Sequence, residues 1–220
     1  MKNTIRFAIT NLLCPLFCLN CFKCGDILCD CCKKNIRFGY GKCLKCGNTL
    51  TDGECLKCSL PFRFQFCLGD RRGVLKELIT DFKYRSNKAA GLKLAQLVAE
   101  TTGLDSTAVL VPLPTIARHK RERGFGQTEW LAKRLSEIFG CRVIKLLSRA
   151  KNTVQVGASS DLRKIQAKEA YDVLVDFDPD RHYVLLDDVW TTGSSMIAAA
   201  ELLRKKGAKN LSALLLARTV

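Results

Sequence analysis

The sequence predicts an α/β fold in which a parallel sheet carries helices on both faces and a small cysteine-rich module comes first. After residue 62, short apolar runs alternate with amphipathic stretches, and this alternation is typical of strand–helix–strand units. Before residue 63, cysteines recur in C-x-x-C pairs, which indicates a metal-binding module. We therefore divide the chain of 220 residues into a cysteine-rich module at 1–62 and an α/β domain at 63–220.

The cysteine-rich module contains two similar blocks, which read C-x2-C-x7-C-x2-C and C-x2-C-x8-C-x2-C. Each C-x-x-C pair forms a tight turn that offers two thiolates to one metal ion, and four thiolates suit tetrahedral Zn²⁺. Because the blocks imply no open coordination position, we expect one or two structural zinc ions. The candidate ligands are Cys18, Cys21, Cys29, Cys32, Cys43, Cys46, Cys55 and Cys58.

The pairing of the four C-x-x-C motifs stays open from the sequence alone. Sequential sites would join the two pairs of each block, whereas a cross-brace would exchange the second pairs. Cys24 and Cys31 are near enough in the chain to compete as ligands. A redox role for a C-x-x-C pair is the alternative, although no βαβ pattern surrounds these pairs. Cys14, Cys67 and Cys141 are expected to be plain buried residues.

The first elements of the α/β domain follow from helical periodicity. A linker is expected near 59–63. Apolar residues then recur at helical spacing between Val74 and Phe82, and this helix is expected to end near Lys83. A second helix is expected over 89–102, and both helices precede the first strand that we predict.

The remaining elements alternate strands with helices. Because helices separate the strands, the connections are crossovers and the predicted sheet is parallel. In chain order we expect a buried strand at 108–113, a basic loop at 115–127, a helix at 127–139, a strand at 142–147, a polar stretch at 148–170, a short strand at 171–175, an apolar strand at 183–186, a helix at 194–206 and a last strand at 211–217.

The segment YVLLDDVWTTGSS at 183–195 carries the most chemistry. Its apolar run ends in two adjacent carboxylates, Asp187 and Asp188, and a loop of small and hydroxyl residues then leads into a helix. Backbone N–H groups at a helix N-terminus attract an anion, while carboxylates suit Mg²⁺ or sugar hydroxyls, so the segment favours a phosphorylated pentose. The loop residues are Thr191, Thr192, Gly193, Ser194 and Ser195.

This segment resembles the phosphoribosyl-pyrophosphate (PRPP) motif of type I phosphoribosyltransferases, in which two acids and a T-T-G-x-[ST] loop follow a hydrophobic strand. The resemblance implies a type I phosphoribosyltransferase fold for the α/β domain. It also implies that Asp187 and Asp188 face the ribose hydroxyls, partly through Mg²⁺, and that 191–195 wraps the 5′-phosphate. The alternative interpretation is that the two acids only cap a helix at the edge of the sheet.

Three further segments suit the same chemistry. The basic loop at 115–127 contains Arg121 and Arg123, whose guanidinium groups would stabilise pyrophosphate as it leaves. The polar stretch at 148–170 is long enough to form a lid over the site. Lys83 has two equally good interpretations: its ammonium group would bind a ligand, or it would only interact with the negative end of the helix dipole. The candidate residues of the polar stretch are Arg149, Thr153, Gln155 and Arg163.

Together these segments resemble the ComF family of competence-type proteins, which pairs an N-terminal zinc module with a type I phosphoribosyltransferase domain. The resemblance rests on F-K-Y at 82–84, P-x-P and R-G-F-x-Q within 112–127, R-x-x-x-T and a later Arg within 149–163, and D-D-V-x-T-T-G at 187–193. It departs at Gly126 and Gln166, where the family usually has Asn, and at Thr153 and Gln155, whose T-x-x-Q spacing is one residue short. It implies a role in DNA uptake during natural transformation, with possible phosphoribosyl transfer from PRPP to an unknown acceptor.

The composition favours anionic partners. The net charge is +15, and residues 61–150 contain the largest basic surplus. Besides PRPP, the resemblance implies single-stranded DNA and other competence proteins as partners, so a non-catalytic PRPP-sensing or DNA-binding protein is the alternative. No apolar run is long enough to span a membrane, and the paired cysteines indicate a reducing compartment, so we expect a cytoplasmic location.

Overall fold

The computed structural model describes residues 16–39, 41–53, 55–149 and 171–219. Its helices and strands are numbered here in chain order. The strands are β1 Phe64–Cys67, β2 Val109–Pro112, β3 Arg142–Val143, β4 Leu147–Arg149, β5 Tyr171–Val173, β6 His182–Trp190 and β7 Asn210–Arg218. The helices are α1 Asp30–Lys33, α2 Gly73–Tyr84, α3 Lys88–Thr101, α4 Ala117–Arg123, α5 Gln127–Phe139 and α6 Ser194–Lys205.

The central sheet of the described chain has five strands in the order β1-β7-β6-β2-β3. Every neighbouring pair in it is parallel. β4 and β5 form a separate antiparallel pair. The predicted parallel α/β sheet is therefore confirmed, and β6, which carries the two acids, lies in its middle.

Helices cover both faces of the sheet, as predicted. Side chains alternate between faces along a strand. Val184 and Leu186 of β6 belong to a hydrophobic cluster with residues of α2, α3 and α5. Tyr183 and Leu185 belong to a second cluster with residues of α6. The two clusters therefore fix which side of β6 each helix occupies.

The cysteine-rich module packs against the α/β domain on both sides of the sheet. Its Ile27 and Leu28 lie in the cluster of α2, α3 and α5, whereas its Leu44 lies in the cluster of α6. The backbone N–H of Leu44 also donates to Oε1 of the buried Gln65 in the edge strand β1, at 3.0 Å. The module thus shares its apolar side chains with the domain, as expected of a segment too short for its own core.

One predicted strand is wrong in its extent. The expected strand at 142–147 is two short strands, β3 and β4, which belong to different sheets. β3 pairs with β2, and its first residue lies opposite Val109. β4 pairs instead with β5, and Leu147 lies opposite Val173. The chain leaves the central sheet between them, and a continuous apolar run does not reveal such a change of partner.

The basic loop at 115–127 is also corrected, because it contains the short helix α4. Its sequence ARHKRER is rich in good helix formers, and Gly124 ends the helix at a φ of +77°. The strand β1, FQFC, was not predicted, because four residues give too short a pattern. None of the helices in the described ranges is long and apolar enough to cross a bilayer.

Part of the predicted lid cannot be compared with the structure. Thr153, Gln155 and Arg163 lie outside the described residues, as does Cys14. Arg149, at the beginning of the lid, is the last residue of β4. The lid therefore stays a prediction, apart from the position of this one arginine.

Candidate functional site

The end of β2 and the acidic part of β6 border a small polar cavity. β2 and β6 are parallel neighbours, and Pro112 lies opposite Leu186 at their last matched position. The carboxyl ends of both strands therefore lie at one edge of the sheet, where open α/β sheets bind ligands. A cavity of about 160 Å³ lies there. Its walls include Lys83, Arg123, Gln127, Arg149, Asp187 and Asp188.

The two aspartates lie within β6 and not beyond its end. The apolar run stops at Leu186, but the strand continues to Trp190. Asp187 is paired with Leu215 and Trp190 with Arg218 of β7. The length of β7 explains the difference, because its nine residues offer backbone partners past the acids. The carboxylates are therefore held by strand pairing, which restricts where they can point.

The two aspartates differ in their electrostatic surroundings. Nζ of Lys83 lies 2.5 Å from Oδ2 of Asp188, and both side chains are largely buried. Asp187 accepts a hydrogen bond at Oδ1 from the backbone N–H of Asp188, at 2.8 Å. Burial, reinforced by the negative charge of Asp188, raises the pKa of Asp187 to about 7. A bound cation or a set of sugar hydroxyls would therefore stabilise the ionised form of Asp187.

The loop after β6 turns sharply at Gly193. This residue has a φ of +76° and precedes the first turn of α6. A Cβ at this position would overlap the six-membered ring of Trp190. The buried Trp190 ring thus packs against the backbone of the loop and sets its path. Glycine is required here both by the backbone angle and by the close approach.

Asp187 connects this loop to the polar cavity. A second cavity of about 40 Å³ is lined by Asp187 together with Thr191, Gly193, Ser194 and Ser195. The hydroxyls of Thr192 and Ser194 lie 3.0 Å apart at the exposed start of α6. One carboxylate therefore lies between a hydroxyl-rich helix start and a cavity with cationic walls.

Arg123 and Arg121 lie on different sides of α4. Arg123 lines the larger cavity and donates from Nη1 to Oε1 of Gln127 at 3.0 Å. Its guanidinium also lies over the ring of Tyr84, 5.2 Å from the centroid. Arg121 is exposed and does not line that cavity, because residues two apart on a helix point in nearly opposite directions.

Arg149 reaches the cavity from the β4–β5 pair. Its Nε donates to the carbonyl of Pro114 at 3.2 Å, and its guanidinium lies 4.9 Å from the ring centroid of Tyr171. Burial raises the pKa of the Tyr171 phenol. Arg149 is therefore held in the wall of the cavity by two contacts.

Two buried polar residues of the site were not singled out from the sequence. Gln127 donates from Nε2 to the carbonyl of Lys83 at 3.2 Å and so holds the end of α2 next to α5. Thr128 donates from Oγ1 to the carbonyl of Leu113 at 2.7 Å. The R-G-F-x-Q pattern could have drawn attention to Gln127, but no local pattern marks Thr128.

The cysteines of the module form two groups that suit a metal ion. Each group has four Sγ atoms within 4.8 Å of one another. The Sγ atoms of Cys21 and Cys29 lie 3.5 Å apart, as do those of Cys46 and Cys55. Zn–S bonds of about 2.3 Å in a tetrahedron place sulfur atoms about 3.8 Å apart, so the geometry fits zinc. We call these the first group (Cys18, Cys21, Cys29, Cys32) and the second group (Cys43, Cys46, Cys55, Cys58).

This arrangement resolves the pairing that the sequence left open. Each group consists of the two C-x-x-C pairs of one block, so the sites are sequential and not cross-braced. Cys24 and Cys31 are exposed and belong to neither group. Cys67 and Cys141 are buried, as predicted. The described cysteines are all free thiols, which agrees with metal binding and not with disulfides.

The chain is similar in sequence to curated proteins along most of its length. It is 30% identical over 207 residues to "DNA utilization protein YhgH" of Escherichia coli, which covers 88% of this chain and 91% of that protein. It is 29% identical over 207 residues to "Competence protein F" of Haemophilus influenzae, with 87% and 90% covered. "Competence protein ComFC" of Bacillus subtilis is 26% identical over 137 residues, which are 61% of this chain and 55% of that protein. No protein-family model matches the chain.

Similarity to solved structures is weaker. A purine phosphoribosyltransferase from Pyrococcus horikoshii aligns with a TM-score of 0.32 and 19% identity, over 60% of this chain and 71% of that one. A structure described as the allosteric regulatory enzyme of purine biosynthesis aligns with a TM-score of 0.44 and 15% identity, over 62% of this chain and 30% of that one. At these values no statement about activity follows from either alignment.

Proposed function

Since the chain belongs to the ComF family of competence-type proteins, we propose that it is a PRPP-binding, phosphoribosyltransferase-like protein that acts in DNA uptake. The observation that carries the proposal is the position of Asp187, which lines both the hydroxyl-rich loop and the cavity with cationic walls. PRPP carries a 5′-phosphate and a pyrophosphate on either side of a ribose. A carboxylate placed between two anion-suited surfaces matches that order of groups.

The loop at 191–195 would hold the 5′-phosphate. Gly193 lets the chain turn sharply into α6, and the start of α6 supplies N–H groups and a favourable dipole. The hydroxyls of Thr192 and Ser194 lie on the exposed side of this turn and can donate to phosphate oxygens. Binding at this loop would place the ribose next to Asp187.

The pair Asp187 and Asp188 would accept hydrogen bonds from the ribose hydroxyls. Two carboxylate groups in one cavity also fit Mg²⁺, which prefers oxygen ligands and would offset the charge of the pyrophosphate. Lys83 neutralises Asp188 and would come within reach of the ligand at the same time. These three side chains would orient the sugar so that its pyrophosphate points to the basic wall.

The basic wall would stabilise the leaving pyrophosphate. Arg123 and Arg149 enter the cavity from different elements, and each is held by a hydrogen bond to a neighbouring residue. Such preorganised donors stabilise charge that develops as the bond to the ribose breaks. Arg121 can reach a ligand only from the solvent side, so the larger part of this role falls to Arg123.

Turnover of PRPP tests the proposal directly. We expect PRPP with Mg²⁺ to bind in calorimetry and pyrophosphate to be released when a suitable member of a panel of nucleobases and amines is added. Arg123→Gln should slow the release about 10²-fold, since it removes one preorganised donor. Arg142→Gln, an exposed residue at the start of β3, is the control and should leave the rate unchanged. Absence of PRPP binding to the wild-type chain would refute the proposal.

A non-catalytic role in handling single-stranded DNA is the second candidate. The net charge of +15 and the names of the curated relatives favour it. If phosphate contacts dominate, the logarithm of the binding constant for an oligonucleotide should fall linearly with the logarithm of the salt concentration, by about 0.7 per neutralised phosphate. A salt-independent constant, measured by fluorescence anisotropy, would count against this role. PRPP binding without pyrophosphate release would favour a sensing function over transfer.

We propose that the protein carries out this function in the cytoplasm. Four free thiols in each group would be kept reduced there and could bind zinc. PRPP, other competence proteins and incoming single-stranded DNA are the partners that we propose in that compartment.

A further inference from the structure

We infer that Arg218 is a positioning residue that couples metal binding at the second group to the loop at 191–195, which we call the phosphate loop. The part of this inference that concerns ligand affinity rests on the proposed function. The remainder concerns only the contacts that connect Cys43 to Gly193 through Arg218 and Trp190.

Arg218 is a buried arginine that joins the α/β domain to the second group. It is 9% exposed and lies at the end of β7. Its Nε donates to Oδ1 of Asp70 at 2.9 Å. Its Nη1 donates to the carbonyl of Cys43 at 3.2 Å. Cys43 belongs to the second group, so one guanidinium contacts both a domain carboxylate and the backbone of a metal-ligand residue.

The contact with the second group is close. The carbonyl of Cys43 also accepts a hydrogen bond from the backbone N–H of Gly47, at 2.9 Å, and this bond closes the turn between the first two thiols. Gly47 has a φ of +75°, and a Cβ there would overlap the guanidinium of Arg218. The side chain of Arg218 therefore packs directly against this turn.

The other end of the connection is the phosphate loop. Arg218 lies opposite Trp190 in the pairing of β6 with β7, and the next backbone N–H, that of Thr219, donates to the carbonyl of Trp190 at 2.8 Å. The ring of Trp190 packs against Gly193. Contacts thus run without interruption from the thiol turn through Arg218 and Trp190 to Gly193.

Coupling requires two states, and the second group supplies them as its metal-bound and metal-free forms. With metal bound, four thiolates hold the turn and keep the Cys43 carbonyl in place for Arg218. Without metal, the turn is free to relax, and a buried guanidinium then loses an acceptor, which is costly. The end of β7 and the Trp190 ring would shift in response, and the loop at Gly193 would lose its support.

The first group provides an internal comparison, because its side of the module contacts other elements. Asp26 pairs with Lys93 of α3, and Lys33 pairs with Glu100 of the same helix. The apolar residues around the first group lie in the cluster of α2, α3 and α5. Emptying the first group should therefore affect α3 and leave Trp190 unchanged.

Tryptophan fluorescence can separate the two groups. The chain has two tryptophans, so Trp130→Phe leaves Trp190 as the only reporter. In that background, Cys46→Ser and Cys21→Ser are a matched pair, since both residues are exposed second thiols of their blocks. We expect each variant to lose one zinc ion. We expect Cys46→Ser to shift the Trp190 emission to the red and to weaken PRPP binding about tenfold, whereas Cys21→Ser should change neither.

Substitution of Arg218 tests the connection without altering a thiol. Arg218→Met should retain both zinc ions, weaken PRPP binding about tenfold and make Trp190 insensitive to Cys46→Ser. Arg218→Lys keeps the charge next to Asp70 and should restore part of the affinity. A variant that fails to fold is recognised because it loses both zinc ions and the Trp190 signal of the folded chain.

Two results would overturn the inference. Equal Trp190 shifts in Cys21→Ser and Cys46→Ser would show general loosening of the module, and no shift in either would show that the second group and the loop are independent. Failure of the proposed function looks different. In that case PRPP would not bind the wild-type chain, while the Trp190 response to Cys46→Ser would remain.

Discussion

Replacing Gly193 by alanine is expected to abolish PRPP binding and to lower the free energy of unfolding by about 2–4 kcal/mol. The alanine would have to adopt a left-handed backbone angle, and its methyl group would also overlap the Trp190 ring. Relief requires the ring or the loop to move, and either movement displaces the N–H groups that begin α6. Urea unfolding measures the stability loss, and calorimetry with PRPP and Mg²⁺ measures the affinity.

Gly140→Ala is the matched control for this prediction. Gly140 ends α5 with a φ of +69°, but a Cβ there would meet only the Cβ of Ser106, at 3.9 Å. Its substitution should cost about 1 kcal/mol from the backbone angle alone and should leave PRPP binding unchanged. Equal stability losses in the two variants would show that contact with Trp190 is unimportant. A further variant, Trp190→Leu combined with Gly193→Ala, should regain part of the lost stability.

The second large effect concerns the two aspartates, whose substitution should lower PRPP affinity alike but change stability in opposite directions. Asp187→Asn and Asp188→Asn should each weaken PRPP binding about 10- to 150-fold, since each removes a charge-assisted acceptor, worth about 1.5–3 kcal/mol. At pH 8, Asp187→Asn should raise the free energy of unfolding, because the pKa of this buried carboxyl is raised to about 7 and its ionised form is destabilised by burial. Asp188→Asn should lower it, because the ammonium of Lys83 loses its partner.

The opposite changes expected in the free energy of unfolding make this prediction specific to the geometry of the two aspartates. Asp176→Asn, an exposed aspartate after β5, should change neither stability nor affinity. A double variant, Lys83→Met with Asp188→Asn, should recover stability without recovering PRPP binding. If both single variants were destabilised to the same extent, the proposed difference between the two carboxylates would be wrong.

The sequence was sufficient for the parts of the fold that depend on local pattern. Helix α5 begins and ends where periodicity predicts, at Gln127 and Phe139. The apolar run of β6 and the paired spacing of the cysteines also lead directly to structural features, although the sequence left the pairing of the C-x-x-C motifs open. Patterns of this kind are set by which side of an element is buried, and that information is present in a short window of residues.

The rest depends on contacts between distant segments. β6 extends past its acids because β7 lies beside it, and the stretch at 142–147 divides because its two ends pair with different strands. Lys83 reaches Asp188 from more than a hundred residues away, and Arg218 reaches Cys43 across most of the chain. Neither pairing leaves a local signal. In the site, the acids and the glycine were identifiable from the motif, whereas Thr128 and Trp190 acquire their importance only through packing.

The cysteine-rich module packs apolar side chains against both faces of the sheet, and this has a consequence for the protein in a cell. Ile27, Leu28 and Leu44 belong to hydrophobic clusters whose other members lie largely in the α/β domain. With zinc as the bound ion, metal binding and folding of the domain are thermodynamically linked, since the ion favours the native chain over the unfolded one. The quantity of intact protein would then follow the supply of free zinc, and starvation for the metal would expose the chain to proteolysis.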